Sequence, residues 1–188
     1  MSFVVLGLLL IRPMSLYDLI KGFEAGVSLF YSASSGSIKR ALDGLLAAGH
    51  IAVADTERQA RGRKVYEITD TGRQHFHAWL TGDLTGSDLE TAVLSRLFFL
   101  GHVAPAERLV VLHTIIARTA DSLAELESRR DEIAALPVPD EWRALAFHQR
   151  AVLDYGIASH RHSLDWLREH LAETERDETE RAETERGK

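Results

Sequence analysis

The chain has 188 residues, 45% of them hydrophobic, a formal net charge of −6 and no cysteine. That length buries one full core or two small ones joined by a helix. The acidic balance argues against indiscriminate attachment to nucleic acid or anionic membrane. The missing cysteines exclude a disulfide framework, a thiolate nucleophile and a cysteine metal site, and fit a reducing cytoplasm.

FVVLGLLLI at positions 3–11 is too short to span a bilayer and lacks the basic lead and cleavage site of a signal peptide. It reads as a buried helix over 2–11, stopped by Arg12-Pro13. Ser15 is a good N-cap for a second helix with Leu16, Leu19, Ile20 and Phe23 on one face, closed by Gly22 or Gly26. Ser34 or Ser35 caps a third, running to about Ala48 with Ile38, Leu42, Leu45 and Leu46 inward and Gly49 as its stop.

The period then changes. Ile51, Val53 and Asp55 alternate as a strand, Val65 to Ile68 is a second, and the pair forms a β-hairpin. Between them Arg58, Arg61, Arg63 and Lys64 fall within seven positions with no acid among them. Thr69 or Asp70 caps a fourth helix carrying Phe76, Trp79 and Leu80.

LTGDLTGSD has the composition of a linker, placed at 81–88 after an amino-terminal domain of residues 1–80. Beyond it the pattern is helical: 89–100, then 105–136 with Leu109, Leu112, Ile116, Leu123, Leu126 and Ile133 on a stripe interrupted by Thr119 and Arg130, then 140–172 with Leu153, Ile157, Leu164, Leu167 and Leu171. Two such helices leave an apolar flank that a second copy of the chain can cover, so 89–172 reads as a helical dimerisation domain. ETER occurs three times at a five-residue spacing, so 173–188 is expected as a charged tail, disordered or a solvated helical extension. Residues 1–80 hold nine Lys/Arg against seven Asp/Glu, and residues 81–188 hold thirteen against twenty-one, so the acidity belongs to the second half.

A basic hairpin tip reaches phosphates without ordering much chain. With its apolar side buried, the third helix presents Ser35, Ser37, Lys39, Arg40 and Asp43; its N-terminus and hydroxyls can donate to phosphate, and Lys39 and Arg40 reach phosphates or guanine edges. Asp43 repels phosphate unless it pairs with Lys39 or Arg40. Helix, helix and basic hairpin in this order make a winged helix-turn-helix, and the expected fold is mainly α with a small β-hairpin wing.

These residues resemble the PadR-like transcriptional regulators. The recognition-helix pattern is met by Ser34-Ser35-Gly36-Ser37-Ile38 and by Leu45 through Gly49-His50-Ile51. The wing pattern is met by Arg61-Gly62-Arg63-Lys64-Val65-Tyr66-Glu67-Ile68-Thr69-Asp70-Thr71-Gly72. The chain departs in having Lys39 where the family usually has Tyr, and Leu16-Tyr17 where Gly-Tyr is common. The resemblance implies a homodimer that binds double-stranded operator DNA, most often as a repressor and sometimes releasing it when a small molecule binds. Ser35, Ser37, Lys39 and Arg40 are then the recognition-helix contacts, Arg58, Arg61, Arg63 and Lys64 the wing contacts, and Tyr66 holds the hairpin in place. The alternative is a winged-helix protein-interaction module whose basic tip docks an acidic partner.

No cofactor, metal or enzymatic activity is expected. No serine sits in a G-x-S-x-G elbow and no Gly-rich loop cradles phosphate. His160 with His162, and His75 with His77, are two apart on helices and point in different directions. His160 is expected as a buried, hydrogen-bonded residue at the dimer seam ahead of a pH sensor, and Trp142, Phe147, Tyr155 and Trp166 as core or interface ahead of the lining of a ligand pocket.

Overall fold

Pro13 decides where the first helix ends. The residue before a proline is driven out of the helical region, and Arg12 is extended (φ −168°, ψ 160°), ending α1 at Ser2–Ile11. The chain stays extended through β1, Met14–Ser15, and Ser15 then caps α2, Leu16–Ala25. The computed structural model describes residues 1–54, 64–85 and 88–186. By its internal contacts the chain divides into Met1–Arg108 and Leu109–Lys188.

In the first unit α3 spans Ser35–Ala47, β2 Ile51–Val53, β3 Val65–Ile68, α4 Asp70–Thr81 and α5 Leu89–Phe99. The three strands form one antiparallel sheet in the order β1-β3-β2. Met14 lies opposite Tyr66 and Ser15 opposite Val65, while Ile51, Ala52 and Val53 face Ile68, Glu67 and Tyr66. β2 over Ile51 and Val53 and β3 over Val65–Ile68 stand where their alternation placed them, while Asp55 lies outside the described residues; the two-residue β1 was not legible and makes the sheet three-stranded.

α1 packs on α2, α3, α4 and β3. It buries Val4, Val5, Leu6, Leu8 and Leu9, so a uniformly apolar helix becomes the centre of the unit. Each such side chain contributes about 2 kcal/mol of transfer free energy, which holds a helix too short to stand alone. Ile38, Leu42 and Leu45 of α3 join this core, whereas Leu46, expected inside, is 38% exposed.

The division by internal contacts is set by α5. It falls at 108/109 and not in the 81–88 segment, because α5 belongs to the first unit. A Cβ on Gly7 of α1 would lie 2.5 Å from the Phe99 ring, so Phe99 lies directly on α1. Arg96 is buried, with its guanidinium 5.1 Å from the Trp79 ring and its Nη2 donating to the Asp83 carbonyl at 2.8 Å, which ties Asp83 to α5. The first turn of α6, Pro105–Ala134, is held to α4 by His77 and Glu107 at 2.9 Å.

In the second unit α6 runs antiparallel to α7, Arg143–Arg186. Gly156 faces Leu126, Arg161 bridges to Glu127, and His160 lies between Ser122 (Nε2 to Oγ, 3.2 Å) and the Gly156 carbonyl (Nδ1, 2.8 Å). The buried stripe of α6 is Val111, Leu112, Ile115 and Thr119. Ile116 is only half-buried, and Thr119 continues the stripe because its hydroxyl donates to the Ile115 carbonyl at 2.8 Å. The expected tail is helical through Arg186, the solvated-extension alternative over disorder; Thr174, Thr179 and Thr184 each donate to a carbonyl one turn back. Among the described residues no helix is long and apolar enough to cross a membrane.

Candidate nucleic-acid interface

The amino end of α3 is set by two serines. The Ser37 amide donates to the Ser34 hydroxyl oxygen at 3.1 Å, and the Ser34 amide donates to the Ser37 hydroxyl oxygen at 3.0 Å, a reciprocal capping box. Ser37 Oγ also donates to the Ser34 carbonyl at 2.8 Å. Its hydroxyl is therefore committed to the cap, and Ser37 shapes the helix end more than it offers a donor outward. Ser35 is exposed in the first turn.

One turn on, Lys39 and Arg40 are both exposed. Lys39 Nζ lies 2.8 Å from the Asp43 carboxylate, the i,i+4 pairing that Asp43 needs on this face. The hydrogen bond and charge of Asp43 raise the Lys39 pKa, with a smaller contribution from Tyr66 on β3. Arg40 has no ion-pair partner among the described residues.

The carboxyl end of α3 is locked to the sheet and to α4. Gly49 is left-handed (φ +71°), and Gly49 and His50 donate their amides to the Leu46 and Leu45 carbonyls at 3.1 and 3.0 Å. These are the paired bonds of a Schellman end. The Gly49 carbonyl then accepts from the hydroxyls of Thr69 at 2.8 Å and Thr71 at 3.0 Å. Thr69 also caps α4, accepting from the Gly72 amide at 3.1 Å, and its own amide donates to the His50 carbonyl at 3.1 Å. One threonine thus joins the end of α3, the end of β3 and the start of α4.

Tyr66 stands in the central strand opposite Met14 and Val53, and Lys64 is exposed just before β3. Arg58, Arg61 and Arg63 lie outside the described residues. Among the described residues no three His, Asp or Glu side chains gather as a metal site.

Residues 5–78 match the model of the transcriptional regulator PadR-like family, and residues 92–175 match that of the virulence activator alpha C-term family. Residues 5–78 form a PadR-like domain. It is 22% identical over 179 residues to the negative transcriptional regulator PadR of Bacillus subtilis, covering 94% of this chain and 98% of the relative. It is 27% identical over 168 residues to the probable transcriptional regulator Rv1176c of Mycobacterium tuberculosis, covering 81% of this chain and 86% of the relative. The crystal structure of Bacillus subtilis PadR in complex with operator DNA is similar at 22% identity and TM-score 0.42, covering 91% of this chain and 96% of that one.

The PadR-like match covers α1 through most of α4, and the family is one of transcriptional regulators, not enzymes. Its wing motif has a physical content that the sequence did not disclose. Thr69, Thr71 and Gly72 stand at the junction that fixes α3 against the sheet, so the Thr-x-x-Gly part of the motif positions the helix. The legible signal for it was a threonine N-cap three residues before a glycine.

Proposed function

We propose that this PadR-like protein is a homodimeric, sequence-specific operator-binding regulator in the cytoplasm, acting as a repressor and relieved by a small-molecule effector. The observation that carries the DNA reading is the outward face of α3. It holds Ser35, Lys39 and Arg40 on a helix capped at both ends, beside strands that lead into the Arg58–Lys64 segment. A rigid helix with cationic side chains, in a chain whose sequence puts a basic connection between β2 and β3, suits one groove and the adjoining backbone. Repression is favoured by the near full-length likeness to a relative named as a negative regulator. Effector relief follows from the family resemblance.

Support for a second copy comes from α7. Leu145, Val152, Tyr155 and Trp166 fall on one stripe of this helix and are all exposed, away from the stripe of Ile157, Leu164 and Leu167 that is buried. A large exposed apolar stripe is a liability for a lone chain, and a second copy offers a self-complementary cover.

The test is fluorescence anisotropy with a duplex selected from a random library by the wild-type protein, against a scrambled duplex, at several salt concentrations. Arg40→Ala and Arg61→Ala/Arg63→Ala are each expected to weaken binding and to flatten the salt slope by roughly one for each phosphate no longer neutralised. Failure of the library to enrich any sequence overturns the operator-binding reading.

A further inference from the structure

Asp43 is the one acid among the residues that α3 turns outward at its cationic end. Along the helix it lies one turn beyond both Lys39 and Arg40, within reach of either. It holds Lys39 at 2.8 Å and leaves Arg40 without an ion-pair partner among the described residues. The two cations are therefore not equivalent. Arg40 is available to a phosphate as it stands, while Lys39 can meet one only by leaving a carboxylate exposed to a polyanion.

We propose that Asp43 is a specificity-determining residue: it restrains Lys39 against generic DNA backbone and accepts a hydrogen bond from the N4 amino group of a cytosine in the major groove. This rests on the operator-binding reading above.

The chemistry is that of a carboxylate with two acceptor oxygens and no donor. Against phosphate it is repelled, so binding made through backbone alone gains nothing from Lys39 that it does not lose at Asp43. Cytosine N4 and adenine N6 are the major-groove donors a carboxylate can use, and guanine beside the cytosine presents the O6 and N7 acceptors that suit a lysine. A G·C pair beneath this turn satisfies both members of the Lys39–Asp43 pair. An A·T pair in the same orientation sets T O4, an acceptor, against Asp43, and the reversed T·A pair keeps a donor there but sets the T methyl where Lys39 had N7. The pair's exposure on both sides keeps it exchangeable, since a surface ion pair of this kind is weak enough to be traded for base contacts.

The experiment compares wild type with Asp43→Ala, whose methyl removes both acceptor oxygens at an exposed helical position. Both proteins select from the random library, and both are titrated with the wild-type-selected duplex, its single-base variants and a scrambled duplex. Asp43→Ala is expected to bind the scrambled duplex more tightly, to steepen the salt slope by about one, and to lose roughly tenfold of the discrimination at one G·C position. An Asp43→Ala variant that keeps every base preference overturns the proposal, whether or not its affinity rises equally on both duplexes. A wild type that enriches no sequence overturns the operator reading itself, and is told apart by failing before the variant is made.

Discussion

Gly72 lies against the His50 carbonyl so closely that a Cβ there would come within 2.0 Å of its oxygen. The first turn of α4 can pass the end of α3 only because position 72 has no side chain. Gly72→Ala must push α4 away from Thr69 and Gly49, costing about 2–3 kcal/mol. Gly44→Ala is the control: nothing lies within 4 Å of its Cβ position on the exposed side of α3, and helix propensity predicts a gain of up to ~1 kcal/mol. Urea denaturation of the two variants should move in opposite directions.

Ser34→Ala removes one half of the box that starts α3. The expected loss is about 1 kcal/mol. Because the fraying is confined to the first turn, amide exchange at Ser35 to Ile38 should quicken while exchange in α4 holds. Uniform acceleration would show that the cap acts on the whole unit.

Phe99 makes α5 part of the amino-terminal unit through its contact with Gly7. Phe99→Ala should cost about 3–5 kcal/mol. A fragment of residues 1–108 should unfold cooperatively, whereas one ending at 85 loses Arg96, Phe99, Leu100 and Val103, all buried in the unit, and should be markedly weaker. Equal stability of the two fragments would return the boundary to the 81–88 segment.

Partial desolvation beside the rings of Phe76 and Phe99 lowers the pKa of the otherwise exposed His102 below its ordinary 6.5. The unfolded chain therefore takes the proton more readily than the folded one. Its contribution to stability is whole above the unfolded pKa and is lost as pH falls through the depressed folded value. Thermal melts at about pH 7.5 and about pH 5.5 should show a larger acid loss for wild type than for His102→Gln.

Val152→Glu/Tyr155→Glu places two carboxylates on the exposed stripe of α7 while leaving Ile157, Leu164 and Leu167 in place. Sedimentation should find the variant monomeric and the wild type dimeric, with helicity unchanged. A dimer that survives both charges would put the interface on another face.

The parts of the molecule that were legible in the amino-acid sequence are those governed by bonds spanning a few residues. Ser15, Ser34 and Thr69 each cap the helix that follows, Pro13 ends α1 through the residue before it, and Gly49 takes the left-handed turn that closes α3. Alternation placed β2 and β3 because a strand's inward side recurs every second residue. Tertiary structure alone decided the rest. β1 is two residues without a pattern, made a strand by the open edge of β3. Leu46 is apolar yet exposed, and Thr119 polar yet buried, because burial depends on which distant surface arrives. Asp43 stood within reach of two cations along the helix, and only the folded arrangement gave it Lys39. Local hydrogen bonds are written in neighbouring residues; burial and the choice of partner are settled where remote segments meet.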